Sequence, residues 1–132
     1  LDEIRAMEEW KKERKNRKDY WLHEGIIVKV ITKKLGDEFY KAKGVVKSLV
    51  DEYTAHIDVD GALLKVDQQH VETVIPALGR AMLVVNGAYR DTKAILESVN
   101  EKDFTISLRL DEGFAKGRLI TVPYEDASKL AQ

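Results

Sequence analysis

The chain has 132 residues, a length that suits one ordinary domain or two very small ones. Of these residues, 44% are hydrophobic and 34% are charged, so the chain is too apolar to be disordered throughout. It has no cysteine, which excludes disulfides, thiolate catalysis and cysteine-based zinc sites within these residues. The formal net charge of −1 indicates no overall attraction to nucleic acid, and no apolar run approaches the ~18 residues of a membrane helix.

Residues 1–20 are predicted to form a charged helical linker that no glycine or proline interrupts. Its apolar residues recur every three positions and form one stripe: Leu1, Ile4, Met7 and Trp10. The segment Lys11–Lys18 has six basic residues and one acidic residue, which fits a phosphate contact, an import signal or the solvated end of a charged helix. With so few apolar residues, the helix needs a partner or frays. Because the chain opens on Leu1 inside this helical segment, we interpret it as a fragment of a longer protein.

Residues 21–76 are predicted to form a first small β barrel. Four strand-like segments read "GIIVKVIT", "VVKSLVD", "YTAHIDVD" and "GALLKV", and a hairpin turn at Asp60-Gly61 joins the last two. A polar loop that contains Gly36 and Gly44 separates the first two segments, and "DQQHVETVIP" supplies a short helical turn or a terminal strand.

Residues 79–132 repeat this order as a second small barrel, with the strand-like segments "AMLVVNG", "AILESVN", "FTISLRLD" and "RLITV". Each unit has about 50 residues of short strands, a length typical of a five-stranded barrel. Alternation places Tyr53 and Phe104 in the two cores, each at the start of an inward-facing set. The link between the units, Ile75–Arg80, is very short, so the barrels are expected to pack together.

Catalytic and metal-binding patterns find little support in the sequence. His23, His56 and His70 lie far apart without ligand spacing, and His70 is expected to cap or pack the terminal turn of the first unit. The carboxylate pairs fall in predicted turns, the serines lack a nucleophile-elbow setting, and no Walker or Rossmann motif occurs. We therefore predict a non-enzymatic binding module without a cofactor in this fragment.

Basic and aromatic residues in the loops are the candidate binding groups. Exposed aromatic side chains beside cations suit single-stranded nucleic acid, because bases stack on rings and cations hold phosphates. Tyr40 and Tyr89 either serve in this way or pack beneath their own loops, and the sequence leaves both open. The candidate nucleic-acid-binding residues of the first unit are Lys33, Lys34, Tyr40, Lys41 and Lys43. Those of the second unit are Tyr89, Arg90, Lys93, Lys116 and Arg118.

Two resemblances refine this interpretation. "VVNGAYRDTKAIL" resembles the KOW-type unit of SH3-like barrels, in which a strand, a glycine turn and a second strand build a docking edge. Gly87 would allow the tight turn, with Arg90 and Lys93 beside it. More extensively, "DYWLHEGIIVKVITKKLGDEFYKAKGVVK", "KVDQQHVETVIPALG", "LESVNEKDF", "KGR" and "YEDASKLA" resemble, in order, the C-terminal region of the Kin-seventeen family of nuclear DNA- and RNA-binding proteins.

The resemblance implies a mainly β fold with two tandem SH3-like barrels, the second of KOW type, after an N-terminal helix. It implies RNA binding through a basic groove between or beside the barrels, with Lys129 added to the lysines of the first unit. It also implies a nuclear protein of RNA processing, mRNA splicing, DNA replication and DNA repair, whose zinc finger lies outside this chain. The sequence departs from the family pattern at Ala42, where a third lysine is expected.

The sequence thus predicts a monomeric module that binds RNA, most readily single-stranded RNA, with DNA as a second candidate ligand and no membrane partner. The alternative is a protein-docking module within a splicing or repair assembly, which a net charge near zero favours. A third alternative is a structural pair of barrels that only spaces other domains.

Overall fold

Two five-stranded antiparallel sheets follow one another along the chain in the computed structural model, which describes residues 2–131. Helix α1 (Asp2–Asn16) precedes them and ends four residues before the predicted boundary at residue 20. The strands of the first sheet are β1 (Ile27–Val30), β2 (Lys43–Leu49), β3 (Thr54–Val59), β4 (Ala62–Asp67) and β5 (Val71–Thr73). Their order in the sheet is β4-β3-β2-β1-β5.

The second sheet repeats this topology. Its strands are β6 (Ala81–Val84), β7 (Lys93–Asn100), β8 (Thr105–Leu110), β9 (Leu119–Pro123) and β10 (Ala127–Lys129). The order is β10-β6-β7-β8-β9, so the last short strand again pairs with the first strand of its unit. The mainly β class with two small β units after one helix is confirmed.

Fine details of the backbone also repeat. The register between the second and third strands of each unit shifts at one place, between Val46 and Ser48 in the first and between Leu96 and Ser98 in the second. Each unit also closes the loop after its first strand with one residue at positive φ. Lys41 (φ 66°) donates its N–H to the carbonyl of Val30, and Asp91 (φ 72°) donates to that of Val84. Tyr40 and Arg90, one residue earlier, therefore occupy equivalent places.

The alternating strands bury the predicted inward faces, with two exceptions. Ile57 and Leu108 are completely buried, but Tyr53 is 38% exposed and Phe104 is 67% exposed, so the prediction that these two rings are core is wrong. Both residues precede the first residue of their strand, where pleat alternation no longer fixes the side-chain direction. Phe104 has φ 55°, a left-handed conformation that turns its ring outward, and the ring meets the edge of Tyr124.

The expectation that the two units pack together is confirmed. Leu83 and Val85 of the second unit belong to the hydrophobic core cluster of the first. The backbone N–H of Lys129 donates to the carbonyl of Val74 at 2.8 Å. The side chain of Ser128, fully buried on β10, donates to the carbonyl of Ile27 at 2.7 Å and accepts the N–H of Val74 at 3.0 Å.

Helix α1 lies against the second unit through polar contacts. Glu13 accepts the N–H of Ala88 at 2.7 Å, and Asn16 donates to the carbonyl of Ala88 at 3.0 Å. Just after the helix, Arg17 binds Asp126, a nearly buried carboxylate, at 2.6 Å, and this hydrogen bond is the main reason that the pKa of Arg17 is raised. Within the described residues, neither core cluster includes a side chain of α1.

The buried serine at the seam yields the first prediction. We expect Ser128→Ala to lower the free energy of unfolding by about 2–4 kcal/mol, because the N–H of Val74 and the carbonyl of Ile27 lose a partner away from water. Urea unfolding followed by circular dichroism measures the loss. Ser107→Ala is the matched control, since Ser107 lies on β8 with only a 3.5 Å contact to the Thr121 hydroxyl. Equal stability of the two variants would contradict this account of the seam.

A second prediction concerns the ring at the start of β3. The hydroxyl of Tyr53 donates to the carboxylate of Asp19 at 2.8 Å, and this bond, with smaller effects of burial and charge, raises the pKa of Tyr53 to about 12. The folded protein favours the protonated phenol, so Tyr53 is expected to stay neutral between pH 10 and 12, where a free tyrosine ionises. Asp19→Asn should move the pKa back toward 10, measured by ¹³C NMR of the tyrosine ring carbons. An unchanged titration in the variant would refute the link.

Candidate nucleic-acid interface

The loop between β1 and β2 carries one aromatic ring between two cations. We call residues 31–42 the first-domain loop. Tyr40 is 38% exposed, and the Nζ atoms of Lys33 and Lys41 lie 5.2 and 5.5 Å from its ring centroid. Cations at this distance are attracted to the π face of the ring. The loop therefore presents a partly exposed aromatic ring with two lysine ammonium groups over it.

The local sequence explains why Tyr40 faces outward. A single 3₁₀ turn at Asp37–Phe39 precedes it, and Phe39 packs against the first core. The left-handed residue Lys41 then turns the chain, so that Ala42 also packs against that core. The departure from the family pattern at Ala42 thus falls where the chain faces inward.

A groove of about 540 Å³ runs along the seam between the two units. Lys29 and Lys43, which are cross-strand partners, line it together with Trp21, and Glu72 and Glu125 face them. We call this the inter-domain groove.

Lys43 also borders a neighbouring recess of about 300 Å³, which holds Lys129 from the second unit beside Asp58 and Asp60. The structure therefore brings the predicted Lys43 and Lys129 together across the seam. Both the groove and the recess mix the two signs of charge.

Arg90 of the second unit turns inward, in contrast to its equivalent Tyr40. Its guanidinium donates to the carbonyl oxygens of Tyr20 and Val85 at 2.8 and 3.1 Å, and it lies 4.9 Å from the ring centroid of Tyr20. Gly87 has φ 92°, as its predicted turn requires. The corner that resembles a KOW unit thus holds the segment that enters the first unit.

Tyr89 and Arg118 bind the helix. The carboxylate of Glu9 accepts from Arg118 at 2.6 Å and from the Tyr89 hydroxyl at 3.3 Å, and Arg118 also donates to that hydroxyl at 2.8 Å. Tyr89 is half-buried, and burial, with the nearby charge of Glu9, raises its pKa. In this arrangement the ring and the guanidinium are both engaged with α1.

The remaining predicted residues lie apart. Lys34 and Lys93 are exposed on separate units, and the backbone N–H of Lys93 is bound by Glu112. Lys116 is exposed in the loop between β8 and β9. Sequence reasoning did not name Phe114, which is fully exposed in the same loop, although the glycines at both ends of that loop were a signal for a protruding tip.

The histidines serve structural contacts. His70 accepts the N–H of Asp67 at 3.2 Å, and the side chain of Asp67 accepts the N–H of Gln69, so the predicted capping role of His70 is confirmed. His23 contacts Asp91 and the carbonyl of Trp21. Across the described part of the chain, no three His, Asp or Glu side chains cluster in a way that could hold a metal ion. None of the described helical residues forms a helix long and apolar enough to cross a membrane.

Comparisons with known proteins match both units. Residues 17–67 match the family model of the KN17 SH3-like domain, and residues 76–131 match that of the KIN17 C-terminal SH3 domain. The DNA/RNA-binding protein KIN17 of Mus musculus is 52% identical over 99% of this chain and 34% of its own length, and that of Homo sapiens has the same values. A KIN17-like protein of Arabidopsis thaliana is 47% identical over 99% of this chain and 33% of its own length.

The chain spans about a third of the length of these curated relatives. A crystal structure of Arabidopsis thaliana AGDP1 AGD34 shares 15% identity at a TM-score of 0.33, covering 82% of this chain and 81% of that one, a likeness too weak to support an argument. The family matches confirm the predicted SH3-like class of both units and the resemblance to the Kin-seventeen family. This chain therefore belongs to the KIN17 family and comprises its C-terminal pair of SH3-like domains.

Proposed function

We propose that this chain is a non-catalytic RNA-binding module that prefers single strands. We place it in a nuclear protein of RNA processing and splicing and of DNA replication or repair. The mouse and human relatives are named DNA/RNA-binding proteins, which supports a nucleic-acid partner. The observation that carries the proposal is the exposed ring of Tyr40 between Lys33 and Lys41.

The geometry of the first-domain loop suits an unpaired base. Base-on-ring stacking contributes roughly 1–3 kcal/mol per base, and it needs a base whose face is free. The ammonium groups of Lys33 and Lys41 lie over the Tyr40 ring, and their flexible stems allow them to move to the phosphates on either side of a base that takes their place on the ring. A duplex hides its base faces, so this loop favours a single strand.

The inter-domain groove adds positive charge near this loop without making the protein basic. Lys29, Lys43 and Lys129 lie along the seam, but Glu72 and Asp58 lie among them. A net charge of −1 means that attraction to phosphates is local. We therefore expect weak binding with few phosphate contacts.

A second candidate function, protein docking, has its own observation. Ile4, Met7 and Trp10 are 57–61% exposed on α1, and none of them belongs to a core cluster. Trp10 borders a shallow recess that Arg118 of the second unit also lines. Apolar side chains grouped on one exposed helix face are typical of helix-in-groove recognition. This surface is separate from the first-domain loop, so one protein can use both.

The RNA proposal predicts a specific pattern of loss. In fluorescence anisotropy with labelled oligo-U, Tyr40→Ala should weaken binding about five-fold or more through lost stacking. Lys41→Glu/Lys43→Glu should weaken it further and flatten its salt dependence. The wild type should lose about tenfold between 50 and 200 mM salt, as expected for two or three phosphate contacts on a single strand.

Matched controls exist for both changes. Tyr53 has the same 38% exposure as Tyr40 but lies beside Asp51 and Glu52, so Tyr53→Ala should leave the affinity within about two-fold. Lys65→Glu/Lys102→Glu makes the same change of charge at two exposed lysines away from the loop. Equal losses of affinity in the test and control variants would mean that Tyr40 is not a binding surface. A wild-type dissociation constant above roughly 100 μM would reject the RNA proposal.

The docking alternative predicts that removing the apolar side chains of α1 abolishes protein capture and leaves RNA binding intact. Ile4→Ala/Met7→Ala/Trp10→Ala preserves helix propensity while removing the apolar face. We expect RNA affinity to be unchanged and proteins captured from nuclear extract at high salt to be lost, compared by quantitative mass spectrometry. Capture that is identical for wild type and variant would reject docking through this face.

A further inference from the structure

Helix α1 and the loop between β8 and β9 enclose a cleft on the outer side of the second unit. We call it the helix cleft, and its volume is about 430 Å³. Arg5 and Lys12 line it from the helix, Phe114 and Lys116 line it from the loop, and Tyr89 lies between them. It is separate from the first-domain loop and from the inter-domain groove, with which it shares no lining residue.

Phe114 is the most exposed large apolar side chain among the described residues. It is fully solvent-accessible, at 111% of its reference area, between Gly113 (φ 80°) and Gly117 (φ 91°). The other two phenylalanines each have a neighbour, since Phe39 packs on the first core and Phe104 meets Tyr124. Phe114 contributes to neither core cluster, so its ring is available to a partner.

The charged side chains that line the cleft favour an anion; Asp111 and Glu112, which precede the ring in sequence, do not line it, and Glu112 accepts the backbone N–H of Lys93. Glu9 is neutralised by Arg118 at 2.6 Å, which leaves three cations, Arg5, Lys12 and Lys116, against one carboxylate, Glu8. The ion pairs found among the described side chains include neither Lys12 nor Lys116. Lys12 instead lies 6.0 Å from the ring centroid of Tyr89. A free aromatic ring with unpaired cations on two sides has the chemistry of a base-and-phosphate site.

We propose that the helix cleft is a second contact site for single-stranded nucleic acid, in which an unpaired base stacks on Phe114 and Lys12 and Lys116 hold the flanking phosphates. The inference rests on the proposed function and extends it to the second unit. There the loop equivalent to the first-domain loop cannot serve, because Arg90 is turned inward. In the second unit, the exposed aromatic ring is instead Phe114 in the β8–β9 loop.

One wall of this site is helix α1, which gives the helix a function. Its contacts to the second unit through Glu9 and Glu13 bring Arg5 and Lys12 beside the loop. In this arrangement Tyr89 and Arg118 act as positioning residues that hold the helix, while Lys12 and Lys116 contact the ligand.

The test uses fluorescence anisotropy of a labelled 12-nucleotide oligo-U RNA at about 50 mM salt. Phe114→Ala should weaken binding about five-fold or more, and Phe114→Trp, which retains a stacking ring, should keep wild-type affinity. Lys12→Ala/Lys116→Ala should weaken binding and reduce its salt dependence. Because these side chains are exposed, the variants should fold, and circular dichroism verifies this.

Matched controls come from the turn between β7 and β8. Phe104 is also exposed, but it does not line the helix cleft and its ring meets Tyr124, so Phe104→Ala should stay within about two-fold of wild type, as should Lys102→Ala. A 12-base-pair RNA duplex is the second probe, and Phe114→Ala should leave its binding unchanged. An affinity of Phe114→Ala within two-fold of wild type for the single strand overturns the proposal, as does an equal loss for the duplex.

The outcome separates this site from the proposed function. If Tyr40→Ala weakens binding and Phe114→Ala does not, the helix cleft is rejected and RNA binding by the first-domain loop stands. If only Phe114→Ala weakens binding, the helix cleft stands and the first-domain loop is rejected as an RNA-binding site. If wild-type protein binds neither probe, both are rejected.

Discussion

One buried hydroxyl joins the backbone of the two domains at their seam, beside the apolar packing of Leu83 and Val85. Ser128 lies on a strand of the second sheet, yet its partners are the carbonyl of Ile27 and the N–H of Val74 in the first domain. Since a buried N–H or carbonyl without a partner costs free energy, this hydroxyl fixes how β10 lies against β1 and β5. The bridge between Ile26 and Leu130 continues the same contact along the chain. The inter-domain groove exists because the seam is fixed, and Lys43 and Lys129 lie together for the same reason.

The two domains share one backbone conformation in the loop after their first strand, but the side chains at that place have different roles. The residue before the left-handed turn is Tyr40 in the first domain and Arg90 in the second. The phenol faces solvent, whereas the guanidinium has enough N–H donors to bind the carbonyl oxygens of both Tyr20 and Val85. The same place in the loop thus presents a ring in the first domain and holds the incoming chain in the second. Because Arg90 is turned inward, the KOW-like corner has few free cations, although its sequence is basic.

Sequence patterns predicted the fold further than they predicted the site. Alternation and turn residues located the strands, and the internal repeat gave their number, since both depend on local backbone geometry. Alternation failed for Tyr53 and Phe104 because each lies one residue outside its strand. The inward turn of Arg90 could not be predicted, because its partner Tyr20 is distant in sequence and meets it only through the tertiary fold. The orientation of α1 was likewise hidden, since the sequence predicted only that the helix needs a partner or frays, and its docking through Glu9, Glu13 and Asn16 depends on residues distant in sequence.

The near-neutral charge and the polar docking of α1 are connected. A helix attached by ion pairs and hydrogen bonds, with its apolar face in water, is held by interactions that are each small at a surface. The acidic side chains that hold it also neutralise cations of the second domain, as Glu9 does for Arg118. Lys12 and Lys116 take no part in this pairing, and they line the helix cleft with the rings of Tyr89 and Phe114. Under the proposed function, the attraction to phosphates would be concentrated where an aromatic surface is also present, and such a distribution of charge would favour a single strand over a duplex, whose phosphates are accessible but whose base faces are not.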